Sequence, residues 1–180
     1  MSALKYQTFG PRVAASIADG LIFLPLPFLD YLVFEQLRLS WLTVAWLVIS
    51  YSAVWLYVVL MHGFYGQTLG KRFFKIRVVD NATEGPITMF QAFIRESVLI
   101  TINLLSLVID LYVYLNGDPS AAQMFYTASI VLSYATVTWF VLEIVTCLFN
   151  RKRRALHDFL GGTVVIKTDD VYQVDVNGAG

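Results

Sequence analysis

The chain has 180 residues, of which 57% are hydrophobic without counting Gly and 14% are charged, and its formal net charge is zero. A soluble domain holds about 45–50% apolar residues with Gly included and about 25% charged ones. A globule of this size has no interior large enough for that much apolar surface, and the mean hydropathy of +0.63 agrees. A water-soluble enzyme, a disordered chain and a collagen-like fibre are excluded on these grounds, and no global field points to nucleic acid. The single cysteine, Cys147, excludes an internal disulfide and a cysteine cluster for zinc or iron–sulfur. What remains is an all-α membrane protein.

Four apolar runs follow one another at residues 12–34, 41–62, 92–115 and 125–149, each at least 22 residues long. A helix rises about 1.5 Å per residue, so each run crosses a hydrocarbon core of about 30 Å. The first ten residues carry no apolar stretch with a cleavage site, so the first run reads as an uncleaved span. Pro25 and Pro27 remove two backbone donors from it and predict a break after Leu24. That break is either a plain kink or, as in transporters, part of a site. The connections alternate short, long and short, near 35–40, 63–91 and 116–123, and residues 168–180 read as a flexible polar tail behind a single membrane domain of residues 1–167.

Twelve of the 13 Lys and Arg residues fall on the side that holds both termini and the long connection: Lys5, Arg12, Lys71, Arg72, Lys75, Arg77, Arg95, Arg151, Lys152, Arg153, Arg154 and Lys167. Only Arg38 lies opposite. The positive-inside rule then predicts a cell (inner) membrane protein with both termini cytoplasmic. Trp41, Tyr57, Tyr65, Tyr112, Tyr114, Phe125 and Tyr126 near the span ends read as aromatic belts. Two short β-branched segments, 76–80 and 162–167, read as interfacial strands able to pair with each other. The order of hairpin, basic segment and strand occurs twice, over 12–80 and 92–167, as in a parallel repeat.

Arg12 and Asp19 are seven residues apart, hence on one helical face about 10 Å apart, with Ser16 between them. A carboxylate inside the membrane costs about 2.5–3.5 kcal/mol and needs a partner. Asp19 therefore reads either as half of a structural ion pair or as a cation- or proton-binding group. Glu96 and Glu143 join it as an inner layer of acids, and Asp30 and Asp110 form an outer one. Gly66-Gln67-Thr68-Leu69-Gly70-Lys71 departs from a phosphate loop in its glycine spacing and in having Arg72 where a hydroxyl is required. It reads instead as a tight turn leading to a basic segment, Lys71, Arg72 and Lys75, that lies on anionic headgroups with Phe73 and Phe74 dipping into the interface. The run Arg151-Lys152-Arg153-Arg154 reads as a second such contact, with Asp158 pairing with the local arginines or capping the chain. His62 and His157 are isolated from each other and predict no metal centre or other cofactor. No nucleophile–base pair is legible, so no enzymatic activity is expected.

Three segments in order give this chain a family likeness. Phe9-Gly10-Pro11-Arg12 through Ala18-Asp19 resembles the opening of the RDD family, named for one arginine and two aspartates. Gly66–Lys71 with Arg77-Val78-Val79-Asp80 is similar to its middle segment, and Arg154-Ala155-Leu156-His157-Asp158 with Gly162-Thr163-Val164-Val165 to its closing one. The resemblance implies that Arg12 and Asp19 are family residues, that Asp158, rather than Asp80, is the second aspartate, and that the fold is multi-pass. For function it implies either transport, including sodium–proton exchange, or partnership with larger membrane machinery. The first reading makes Asp19 the central carboxylate of a cation path extended by Glu96 and Glu143. Lys71, Arg77, Asp80 and Arg154 then act as a cytoplasmic gate, and a homo-oligomer encloses the path. The second makes Arg12, Asp19 and Asp158 one structural network in a scaffold or assembly factor.

Overall fold

The computed structural model describes residues 4–33, 40–116 and 119–168. Expectations for the first connection, for residues 117 and 118 and for the tail beyond residue 168 lie outside the described residues. A 3-10 turn at Leu4–Tyr6 leads into α1 (Phe9–Ile22), followed by α2 (Pro25–Tyr31), α3 (Ser40–Tyr65), the short α4 (Leu69–Phe73), β1 (Ile76–Asp80), α5 (Met89–Asn116), α6 (Pro119–Phe149), the short α7 (Leu156–Leu160) and β2 (Thr163–Lys167). Among the described residues, four helices are long and apolar enough to cross a membrane: Leu4–Tyr31, Trp41–Tyr65, Met89–Asn116 and Phe125–Phe149.

The first span breaks where the prolines require it, with α1 ending at Ile22, two residues before the expected point. Pro25 occupies the first position of α2, where a helix has no use for its N–H. Leu26 N closes the turn by donating to Phe23 O at 3.0 Å. Proline likewise opens α6, which starts six residues before the expected run. Only 6–11% of each span's most apolar window is buried within the chain, so these surfaces are left to lipid or to another chain.

The chain divides into two compact units: residues 1–22, 57–96 and 142–180 form one, and residues 23–56 and 97–141 the other. The 12 cations named above all belong to the first.

In the first unit the two predicted strands do pair, antiparallel, with Ile76 opposite Lys167 and Asp80 opposite Thr163. Isolated two-stranded ribbons are marginal in water. This one is covered: Val79, Val164 and Ile166 pack with Tyr6, while Ile76, Val78 and Val165 on the other face are fully buried. Asp80 ends β1 and builds the turn behind it. Its Oδ1 accepts from Ala82 N at 3.0 Å and Thr83 N at 2.9 Å, and its Oδ2 accepts from Gln91 Nε2 at 2.8 Å. The Thr83 N–H, the Gln91 amide and the Ala82 N–H hold its carboxyl down at about 2.

The short helix α4 lies against α1 so closely that a Cβ on Gly70 would sit 2.3 Å from the carbonyl oxygen of Ala15, which is itself fully buried. Backbone cannot yield as a side chain does. Gly70→Ala is therefore expected to lower stability by about 1–3 kcal/mol, the usual range for overpacking. Gly20→Ala, where a Cβ meets nothing within 4 Å, is expected to stay within about 0.5 kcal/mol. Thermal unfolding of the two variants in the same detergent, followed by circular dichroism, checks the contrast.

Candidate functional site

Thr8, Arg12 and Ala15 recur at helical spacing and form the buried face at the start of α1. Arg12 does not turn toward Asp19. Its Nη1 donates to Asp158 Oδ2 at 2.6 Å and its Nε to Thr8 Oγ1 at 3.1 Å. Of the partners open to Arg12 it takes one from a distant segment, because a carboxylate sealed among buried groups offers a guanidinium a stronger partner than one two turns away on its own helix. Ser16, between them in sequence, is exposed and takes no part.

Asp158 is wholly buried in the first turn of α7. Two guanidiniums share its carboxylate. Arg12 takes Oδ2, and Arg95 Nη1, from α5, takes Oδ1. Ala155 N adds a bond to Oδ2 at 3.0 Å, capping the short helix, and Thr163 Oγ1 donates to Oδ1 at 3.2 Å from the start of β2. Burial alone would push this carboxyl up, but the Arg95 and Arg12 guanidiniums beside it hold it well below the usual carboxylate range. Arg154, expected as a pairing partner, instead donates to two carbonyls, Thr163 O and Asp158 O, both at 2.9 Å.

Arg95 extends the network. Its Nη2 is 2.5 Å from His157 Nε2, and since a guanidinium only donates, that nitrogen accepts. His157 Nδ1 then carries the hydrogen that it gives to Glu143 Oε1 at 2.5 Å. On its other side Arg95 Nε lies 3.4 Å from Glu96 Oε1, which is 3.6 Å from Nδ1 of buried His62. His62 Nε2 stands 2.6 Å from Lys71 Nζ. Sequence places Lys71 on headgroups, but the structure leaves it half-buried, with its amino group turned inward. Burial, and then the like charge of Arg95, push that amine down to about 7.

Asp19 makes a second centre, with no cation in it among the described residues. Its Oδ1 accepts from Tyr57 Oη and from Gly70 N, each at 2.8 Å, and its Oδ2 from Thr68 Oγ1 at 2.5 Å. Thr68 is the N-cap of α4, and Tyr57 Oη also accepts from Leu69 N at 2.9 Å. Asp19 thus holds the positive end of α4 against α1. Tyr57, read as a belt residue, points inward to this site, whereas Trp41, Tyr65 and Tyr126 are exposed as a belt requires.

The remaining predicted residues are dispersed. Arg77 lies on β1 beside Gly66, and its buried Nε has no hydrogen-bond partner among the described residues. Lys152 donates to the Asn81 side chain and Arg153 to Leu148 O, which leaves Arg151 as the exposed member of that run. No group of His, Cys, Asp and Glu able to hold a metal ion occurs among the described residues. Sequence reasoning takes Arg95 only as a neighbour of Glu96 and does not place it on Asp158. A buried acid facing two arginines is a tertiary fact, and the only local signal is the adjacent Arg95-Glu96 pair inside an apolar run.

The RDD family model matches residues 6–162, which include Arg12, Asp19 and Asp158. The chain belongs to the RDD family. RDD proteins are membrane proteins, in keeping with the four apolar helices. No curated protein and no solved structure matches the chain. Of the two candidates for the second RDD aspartate, Asp158 contacts the arginine and Asp80 does not.

Removing one partner of a buried ion pair strands the other. Asp158→Asn and Arg12→Gln are each expected to cost about 3–5 kcal/mol, while Arg151→Gln on the exposed run stays within about 0.5 kcal/mol, all read from detergent melts. The Asp158 carboxyl is lower when folded than its unfolded value of about 3.9. Its contribution is therefore complete above that pH and is lost as pH falls toward the lower folded value. Titrating the melting temperature from about pH 6 to about pH 3 should show a decline that begins near pH 4, and Asp158→Asn should remove that part of the decline.

Proposed function

We propose that this RDD protein is a non-catalytic membrane scaffold in which Arg12 and Arg95 latch the α7–β2 segment, through Asp158, to the first and third spans, and Asp19 seats the α4–β1 segment. The observation that carries this reading is the complete enclosure of Asp158 between two guanidiniums. A carboxylate that binds a travelling cation must exchange its partners for that cation. Displacing two arginines and two neutral donors from a dry site is far costlier than displacing water. Asp19, held by three neutral donors, is likewise spent on structure.

The asymmetry of the cations supports the orientation of this proposal. The compact unit that bears 12 of the 13 faces the cytoplasm of the cell (inner) membrane, against anionic headgroups, and exposed Arg72 and Arg151 supply the contact. The largely unburied span surfaces support association with a second copy or with a membrane-protein partner.

A second reading, transport of a cation in exchange for protons, is favoured by one feature. Glu96, His62 and Lys71 succeed one another at 3.6 and 2.6 Å, and Glu143 meets His157 on the other side of Arg95. Such a chain of protonatable groups in and beside membrane helices is what a proton path would use.

Reconstitution decides between them. Proteoliposomes carrying an interior pH dye are given an inward sodium gradient. The scaffold reading expects no flux above empty liposomes for the wild type, and Asp19→Asn that melts earlier in detergent. Sodium-dependent alkalinisation that disappears in a folded Asp19→Asn protein replaces the scaffold with a transporter.

A further inference from the structure

The compact unit of residues 23–56 and 97–141 holds a cleft that neither the ion-pair latch nor the Asp19 site uses. Its volume is about 350 Å³, at the small end of the range for ligand pockets, about 300–1,000 Å³. Phe23, Leu26 and Val54 give it apolar walls, and Pro27 contributes no N–H. Its polar lining consists of Asp30, Ser50, Tyr51 and Asn103.

The hydrogens of that lining are nearly all committed elsewhere. Tyr51 Oη donates to Asp110 Oδ2, Ser50 Oγ donates to Leu47 O at 3.3 Å, and Asn103 Nδ2 donates one hydrogen to Leu99 O at 2.8 Å. Asp30 receives a single bond, from Trp46 Nε1 to Oδ1 at 2.6 Å. Its Oδ2 has no partner and the carboxylate no cation among the described residues, although it belongs to a membrane span. Against five side-chain oxygens the lining keeps one spare N–H. A second carboxylate, Asp110, stands directly behind Tyr51. A ligand for this cleft has to bring hydrogens and positive charge to one end and apolar surface to the other.

We propose that the cleft binds a small organic ammonium ion, with its charged nitrogen on Asp30 Oδ2 and its apolar body against Phe23, Leu26 and Val54. A bare sodium ion would use the oxygens and leave the apolar walls without a partner. The inference stands apart from the scaffold and transport readings, since it involves none of their residues.

The test is calorimetric titration of the full chain in nanodiscs with 2-phenylethylammonium chloride, with neutral 2-phenylethanol as the uncharged match. Saturable binding of the ammonium is expected, with the alcohol at least about tenfold weaker, the scale of a charge-assisted hydrogen bond. Asp30→Asn should weaken the ammonium by a similar factor, and Val54→Trp, which fills the cleft, should abolish binding. Absence of saturable binding, equal affinity for the alcohol, or an unchanged Asp30→Asn protein overturns the proposal. So does displacement of the probe by sodium but not by propylammonium at equal ionic strength. Should Asp30→Asn not fold, Val54→Trp decides in its place: undiminished binding in that variant rejects the cleft.

Discussion

A carboxylate sealed from water between two guanidiniums sets the terms for one of the two compact units. Asp158 is not accessible at all, and an isolated charge in such a place would neutralise or force the structure open. Arg12 and Arg95 together keep it ionised, which leaves a surplus positive charge in the interior. Glu96 answers that surplus at 3.4 Å from Arg95 Nε, and Glu143 answers it through His157. Every element that supplies a partner is thereby tied to one point: α1 through Arg12, α5 through Arg95, α6 through Glu143, and β2 through Thr163. The two-stranded sheet could not persist alone, and this network is what holds its second strand in place.

The two aspartates that resemble the family's pair solve the same problem by different chemistry. Asp158 is fully enclosed and meets cations. Asp19 is only partly enclosed and is satisfied by a hydroxyl from Thr68, a phenol from Tyr57 and a backbone N–H from Gly70. Neutral donors suffice where some access to polar surroundings remains, and the first turn of α4 adds its unpaired N–H groups to the same end. Both acids sit at the start of a five-residue helix. Each pins a segment too short to be stable by itself.

The membrane spans, the proline break and both strands are legible in the sequence because each rests on a local signal: length and apolarity, a missing N–H, or β-branched alternation. The partners are not. Helical spacing places Arg12 and Asp19 on one face, yet which of two carboxylates wins the arginine depends on burial, a property of the assembled unit. For the same reason Lys71 and Tyr57 read as surface residues and point inward. Most of the basic run is likewise turned to the protein rather than to headgroups: Lys152, Arg153 and Arg154 are committed to Asn81, Leu148 and Thr163. Basic residues in a row predict a lipid contact only when no carbonyl lies within reach.

The order of elements supports the repeat at which the sequence only hints. α3 is followed by α4, two linking residues and β1, and α6 by α7, two linking residues and β2. Both short helices have five residues, and so do both strands. The second linking residue, Lys75 in one half and Gly162 in the other, takes a left-handed conformation in each, with φ of 53° and 64°. Glycine adopts that conformation freely, whereas lysine does so only under constraint. The constraint in the first half is the ladder itself, since Thr168 N and Oγ1 both donate to Lys75 O at 2.9 and 3.0 Å. Antiparallel pairing of β1 with β2 then joins the ends of two like halves, so that neither strand depends on its own half alone for a partner.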